Sequence, residues 1–290
     1  MHIQAHPTCS LSPRFLLGAI AVFICLLSGH AGPRRVAAAV PGPCEPGYVQ
    51  NSPGGIPFVR VALKRAADSS SENPVLLTWL GHSSFLLTSP AGLRLLIDPS
   101  AWYPLSGVPD VVTVSNLHGT HRAVEPRMSS AEILWGMHPE QGWRRIVLTI
   151  RDVELFNIPS YVSHEMQQNS AIHNSIFVFR VARLCIVHLG NLRHVLTQRQ
   201  LEQLGMPDVV MIPVDGHWTL EPGDILTVID QLQPRLVIPM HIESVEDAEL
   251  FAQHTASRYA ARRLPERTLV LSRSVLPAAT EVVVFGDQPQ

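Results

Sequence analysis

Apolar residues along this chain come mostly as short β-branched runs that end in small polar clusters. That pattern predicts strands delivering polar side chains at their ends. Residues 75–80, 84–87 and 93–97 read as an antiparallel meander. It stops at Asp98-Pro99, because proline cannot donate to a ladder and holds the residue before it extended. The run Val111–Val114 reads as a buried strand leading into Ser-Asn-Leu-His-Gly-Thr-His. Residues 125–137 have weak helical character, while 145–158 alternate apolar and polar positions as a half-exposed hairpin would. A second hairpin is expected over 175–181 and 183–188, a short helix over 197–204 with a Gly205 stop, and a buried strand over 208–214. Regular helices are expected over 221–232 and 245–261, with strands over 236–238, 269–271 and 282–285. Hairpins first and helices later fit an α+β chain in which two mixed sheets pack face to face with helices outside them.

Composition adds two constraints. With 290 residues and 46% hydrophobic content the chain can bury a sizeable core. A net charge of −2 leaves no nucleic-acid footprint. The N-terminal part differs from the rest: Arg14 precedes the apolar run 15–27, and small residues follow it. A spanning helix needs ~20 apolar residues, so residues 1–31 read as a secretory signal, with export to a periplasmic or extracellular compartment. The alternative is a membrane anchor formed by 15–27 if the segment is retained. Residues 32–73, rich in Pro, Gly, Ser and Ala, read as a linker with one short ordered patch at 58–66, and 74–290 as the folded domain. Beyond the leader only Cys44 and Cys185 remain, and a disulfide framework is not indicated. Cys185 reads as a small buried hydrophobe.

Candidate chemistry lies at the strand ends. Among 14 histidines a single one says little, but His118, His121, His164 and His241 each follow a strand by a few residues. Imidazole is a favoured zinc ligand, and a site assembled from several loops needs its ligands at the same ends of neighbouring strands. The plainer alternative is that these histidines satisfy loop hydrogen bonds. No Gly-x-Ser-x-Gly elbow supports a serine nucleophile.

The segments TWLGHSSFLLTSPAGLRLLIDPS, VTVSNLHGTH, VSH, HLGNLRHVLT, DVVMIPV and LVIPMH, in that order, resemble the signatures of the metallo-β-lactamase superfamily. The branch of similarity is the one holding ascorbate-6-phosphate lactonase-like and N-acylphosphatidylethanolamine phospholipase D-like hydrolases. The resemblance implies an αββα sandwich with a metal site at one edge between the sheets. It also places the His-x-His-x-Asp-His motif on 116–121, where Asn116 and Thr120 replace a histidine and the aspartate. The next histidine falls on His164, the bridging aspartate on Asn191, and the last histidine on His241.

Two dications ~3.5–4 Å apart repel each other unless anionic ligands bridge them, so loss of both aspartates disfavours a dinuclear centre. Three readings follow. One zinc ion could be held by some of His118, His121, His164 and His241, with Asn116 or Asn191 through an amide oxygen. The pocket could hold no metal and serve a non-catalytic pseudoenzyme as a binding site. Nearby carboxylates, Glu165 or Asp215, could substitute. Asp215 is either a turn former or a pocket carboxylate acting as ligand or general base, with His217 beside it, and Asn191 is the other candidate catalytic residue. His82, in the Gly-His-Ser turn, is expected to orient by hydrogen bonding rather than ligate, and Asp98 to cap a strand end near the site. The function expected is hydrolysis of a small-molecule ester, lactone or phosphodiester by a metal-activated water.

Overall fold

The computed structural model describes residues 42–45, 47–51, 74–101, 105–161 and 172–286. These residues all belong to one compact unit. The first sheet is built from β1 (Val75–Trp79), β2 (Phe85–Thr88), β3 (Arg94–Ile97), β4 (Val111–Val114) and β5 (Glu132–Trp135), with a late strand on its edge. A small hairpin, β6 (Met137–His138) and β7 (Gly142–Trp143), leads to the second sheet. That sheet begins with β8 (Val147–Ile150), β9 (Val153–Ser160), β10 (Asn174–Val181) and β11 (Leu184–His188). It continues through α2 (Gln198–Leu204), β12 (Val209–Pro213), α3 (Pro222–Leu232), β13 (Leu236–Met240) and α4 (Val245–His254). The chain closes with β14 (Ala260–Arg263), β15 (Thr268–Leu271) and β16 (Glu281–Val284), while α1 (Tyr48–Asn51) precedes the first strand.

Strand order is β15-β1-β2-β3-β4-β5 in one sheet and β14-β16-β13-β12-β11-β10-β9-β8 in the other. Each sheet is antiparallel in its meander part and parallel where the connection crosses over: β3 to β4 to β5 in the first, β11 to β12 to β13 to β16 in the second. Parallel strands must be covered on both faces, which is why β12 and β13 read as unbroken apolar runs and are buried throughout. Between the sheets, Leu77, Phe85, Leu87 and Ile97 meet Leu155, Ile176, Phe177 and Phe179 in one large core.

The outer face of the second sheet is covered by helices. α3 buries Ile225, Val228, Ile229 and Leu232, and α4 buries Ala248 and Ala252 after a capping box between Ser244 and Asp247. On the outer face of the first sheet, Leu96, Val112 and Val114 pack with Leu105 and Met128 in a smaller cluster.

Three expectations change. The weakly helical stretch at 125–137 is a 3-10 turn, Pro126–Met128, followed by β5, because pairing with β4 gives Glu132–Trp135 a full parallel ladder. The helix expected over 245–261 ends at His254, where the Thr255 hydroxyl turns back on Phe251 O at 2.9 Å. The chain then joins β16 as the parallel edge strand β14. Finally, Cys44 is disulfide-bonded to Cys185, with sulfurs 2.17 Å apart. The residues 42–51 expected in the linker include Val49, buried in the main core, and α1 packs against β8 and β9. The patch expected at 58–66 and the leader at 1–31 lie outside the described residues. Among the described residues no helix is long and apolar enough to cross a membrane.

The disulfide closes a loop of 141 residues in sequence, and removing so long a closure from the unfolded chain typically costs about 2–4 kcal/mol. Reduction, or Cys44→Ser, should therefore lower the urea midpoint by that equivalent, measured by circular dichroism with and without reductant.

Candidate metal centre

Every polar side chain of the site stands at the C-terminal end of a strand or in the turn after it. His82 comes from the β1–β2 turn, Asp98 follows β3, Ser115 to His121 follow β4, His188 and Asn191 end β11, Asp215 follows β12 and His241 follows β13. The two sheets are tied together here, since His241 N–H donates to His82 O at 3.2 Å and His82 pairs with Ile242 as an isolated bridge. Trp79 Nε1–H donates to the same carbonyl at 3.2 Å. His82, Asp98 and His241 adopt φ of 52°, 45° and 61°. Left-handed backbone at a non-glycine residue typically costs on the order of 1–3 kcal/mol and persists where the surroundings hold it.

That strain brings three imidazoles together. One ring nitrogen from each of His82, His121 and His241 lies within 4.8 Å of the other two. The ring centroids are 4.1 Å apart for His82 and His241, and 5.5 Å for each with His121. Two carboxylates stand behind them. Asp98, fully buried, accepts from His121 Nδ1–H at 2.6 Å, from Ser115 N–H at 2.7 Å and from the Ser115 hydroxyl. Asp215 Oδ1 lies 3.4 Å from His241 Nδ1. Its Oδ2 accepts from Trp218 N–H at 2.7 Å, and Oδ1 accepts from the Thr219 hydroxyl.

Electrostatics follow from burial. Desolvation, reinforced by neighbouring histidines, pushes His82 and His121 down to about 3. His241 is lowered to about 4 by desolvation, against the pull of Asp215. Asp98 is raised to about 6 by its own burial, opposed chiefly by His188. At neutral pH the three imidazoles are therefore uncharged and Asp98 is a carboxylate, so the Asp98–His121 contact is a hydrogen bond from a neutral ring. It fixes the proton on Nδ1 and leaves Nε2 as a lone pair. Nε2 of His121 and Nε2 of His241 are buried without a hydrogen-bond partner. Buried polar atoms in this condition call for a ligand, and convergent neutral imidazoles backed by carboxylates are the donor set a zinc ion takes.

Of the candidates read from sequence, His121 and His241 enter this cluster. His118 is exposed, its ring centroid 6.3 Å from that of His121 and its Nδ1 3.0 Å from Thr120 Oγ1. Asn116 is buried and shapes the loop: its Oδ1 accepts His118 N–H at 2.9 Å and its Nδ2–H donates to Ser115 Oγ at 3.1 Å. Asn191 donates its backbone N–H to Asn174 Oδ1 at 2.8 Å and keeps its own Oδ1 buried and unpartnered. His164 and Glu165 lie outside the described residues. Asp215 has both carboxylate oxygens engaged, which makes it a positioning residue for His241 and the following turn.

His82 was expected to orient by hydrogen bonding, and its Nδ1 does lie 3.1 Å from Ser83 Oγ, but its ring also joins the cluster with His121 and His241. Its turn was legible as Gly-His-Ser, but only the bridge from β13 shows that the ring meets His241. Asp98 likewise does more than cap β3. Gly190, at φ 58°, allows the end of β11 to approach closely, since a Cβ there would lie 2.3 Å from Asn174 Oδ1 and 2.8 Å from Ser115 Oγ.

A sequence model of the beta-lactamase superfamily domain matches residues 76–241, more than half of the chain. A metal-dependent hydrolase of Methanopyrus kandleri is 24% identical over 191 residues, 57% of this chain and 83% of the relative. One from Archaeoglobus fulgidus is 23% identical over 230 residues, 67% and 95% of the two chains. Among solved structures, a Thermotoga maritima protein described as a Zn-dependent hydrolase of the metallo-β-lactamase superfamily superposes with a TM-score of 0.55. It is 26% identical, and the match covers 74% of this chain and all of the other.

The lowered histidines set the pH response of the metal-free protein. An unfolded histidine takes up its proton near 6.5, whereas folded His82, His121, His241 and also His173, lowered to about 4, stay neutral well below that. The unfolded state then binds more protons, so their stabilisation is complete above 6.5 and is lost as pH falls toward 4 and 3. Asp98 has the opposite sign between 3.8 and about 6, and Glu154, also raised by burial, shares that sign, but the lowered histidines, which include His188, outnumber them. The thermal midpoint of chelator-treated protein should fall steadily from pH 7 to pH 4.5, measured by calorimetry.

Proposed function

The chain belongs to the beta-lactamase superfamily, and from that membership we propose that it is a metal-dependent hydrolase using one zinc ion held by His82, His121 and His241. The reading is supported by the relatives described as metal-dependent hydrolases. The observation that carries it is the pair of buried, unpartnered Nε2 atoms converging with His82 in a carboxylate-backed cluster. A zinc ion bound there supplies Lewis acidity, polarising a substrate oxygen and acidifying water. The chain's own contribution is to keep that position preorganised. Burial holds three rings neutral, Asp98 fixes the tautomer and orientation of His121, Ser115 fixes Asp98, and Asp215 orients His241. His188, whose Nε2–H donates to Ser83 O at 2.9 Å, locks the turn that carries His82 against β11.

A single ion suits this donor set better than two. Thr120 and Asn191 stand where the resemblance puts aspartates, so the anionic bridge that would offset repulsion between two dications is missing. Water attack on a carbonyl or phosphoryl centre is the reaction such a site serves, in an ester, lactone or phosphodiester of small size. We further propose that the protein acts outside the cytoplasm, where its Cys44–Cys185 disulfide persists.

Protein purified without chelator should carry about one equivalent of zinc and hydrolyse activated esters, and His241→Ala should lose both, measured by elemental analysis and initial rates. Absence of zinc after reconstitution would leave a binding protein on a hydrolase fold. Asp98→Asn keeps the shape of the carboxylate while removing its charge. It should weaken zinc affinity about 10–100-fold in chelator competition, the usual penalty for losing the group behind a ligating histidine.

A further inference from the structure

His82 and His241 also form one wall of an open cleft of about 750 Å³ that runs between α3 and α4. Its apolar lining comes from Val214, Trp218, Leu226, Ile242, Leu250 and Phe251. Trp218 and Leu250 are 67% and 52% exposed, among the few large hydrophobic side chains left open to solvent in the described residues. Scattered exposed hydrophobics need no explanation, but two facing one cleft that opens on a catalytic centre mark a place for an apolar ligand.

The charges in the cleft narrow its chemistry. Among the described residues the acids lining it are Asp215, Glu243 and Asp247, with His254 as a further histidine and no arginine or lysine. Asp247 is engaged by the backbone N–H groups of Glu243 and Ser244, each at 3.0 Å. Away from the proposed zinc position, a charged chain lying along the cleft would meet carboxylates and no lysine or arginine, which disfavours an anionic chain there. An uncharged chain meets only surface that gains from being covered.

Resting on the hydrolase reading above, the geometry points to a carboxylic ester with an uncharged, extended apolar acyl chain as substrate, its chain in the α3–α4 cleft and its carbonyl at the histidines. In the reaction the oxygen of water bonds to the acyl carbon and the acyl C–O bond to the alcohol breaks. One water proton ends on the departing alkoxide and the other leaves with the acid product. Asp215 links the two parts, because it holds His241 with one oxygen and the turn presenting Trp218 with the other.

The test is a series of p-nitrophenyl esters from acetate to octanoate, with bis(p-nitrophenyl) phosphate alongside, on the zinc-loaded full chain. Octanoate should exceed acetate in kcat/KM by about tenfold or more, a modest demand for six added methylenes. Trp218→Ala and Leu250→Ser should each cut the octanoate-to-acetate ratio at least about threefold, and the phosphodiester should be the poorest substrate. A second arm titrates octanamide, neutral and not an ester, into wild-type and Trp218→Ala protein by calorimetry, where binding weakened by the substitution is expected. A flat or inverted chain series, faster phosphodiester cleavage, or octanamide binding indifferent to Trp218 overturns the assignment of the cleft. Octanamide binding that depends on Trp218, in a protein inert toward every ester, overturns the hydrolase reading and keeps the cleft's preference.

Discussion

The buried hydrogen bond from His121 to Asp98 is the constraint on which the site depends. A carboxylate removed from water is tolerable only with its oxygens satisfied, and Asp98 is satisfied by Ser115 and His121, at the ends of the strand beside its own. The same contact sets the His121 tautomer, so stability and ligand geometry come from one interaction. Left-handed backbone at Asp98 aims the carboxylate, and left-handed backbone at His82 and His241 aims the other two rings. Three strained positions in a single site are held by the packed sheets beneath them, which have no comparable freedom.

The sheets explain why the cluster forms where it does. β3 and β4 in one layer and β11, β12 and β13 in the other run as parallel neighbours, so their C-terminal ends collect on one edge of the sandwich. The bridge between His82 and Ile242 closes that edge. Ligands from both layers therefore reach a common point without any long loop. Asp215 extends the same order to the cleft by holding His241 and the Trp218 turn together, so the inferred ligand position and the apolar wall are built as a unit.

Much of this was legible from the chain. Apolar runs located most strands of the two large sheets, since a buried parallel strand cannot be polar on either face, and polar strand ends pointed to the edge where the three histidines cluster. β5 was missed because Glu132–Trp135 has a mixed pattern and becomes a strand only by pairing with β4. The disulfide was missed because Cys44 sits in a proline-rich stretch that looks like linker, and only the packing of Val49 and α1 brings it to β11. At the site, spacing found His121 and His241 but favoured His118 over His82. Neighbours in sequence were taken as neighbours in space, whereas the third imidazole of the cluster comes from the β1–β2 turn, distant in sequence from the β4 loop.

X-ray absorption at the zinc edge tests the central claim most directly. Zinc-loaded protein should show a single ion with about three imidazole ligands, a count that falls by one in His82→Ala and is unchanged in His118→Ala. A metal–metal vector near ~3.5–4 Å, the signature of a two-metal site, or an imidazole count that follows His118 and ignores His82, would contradict it.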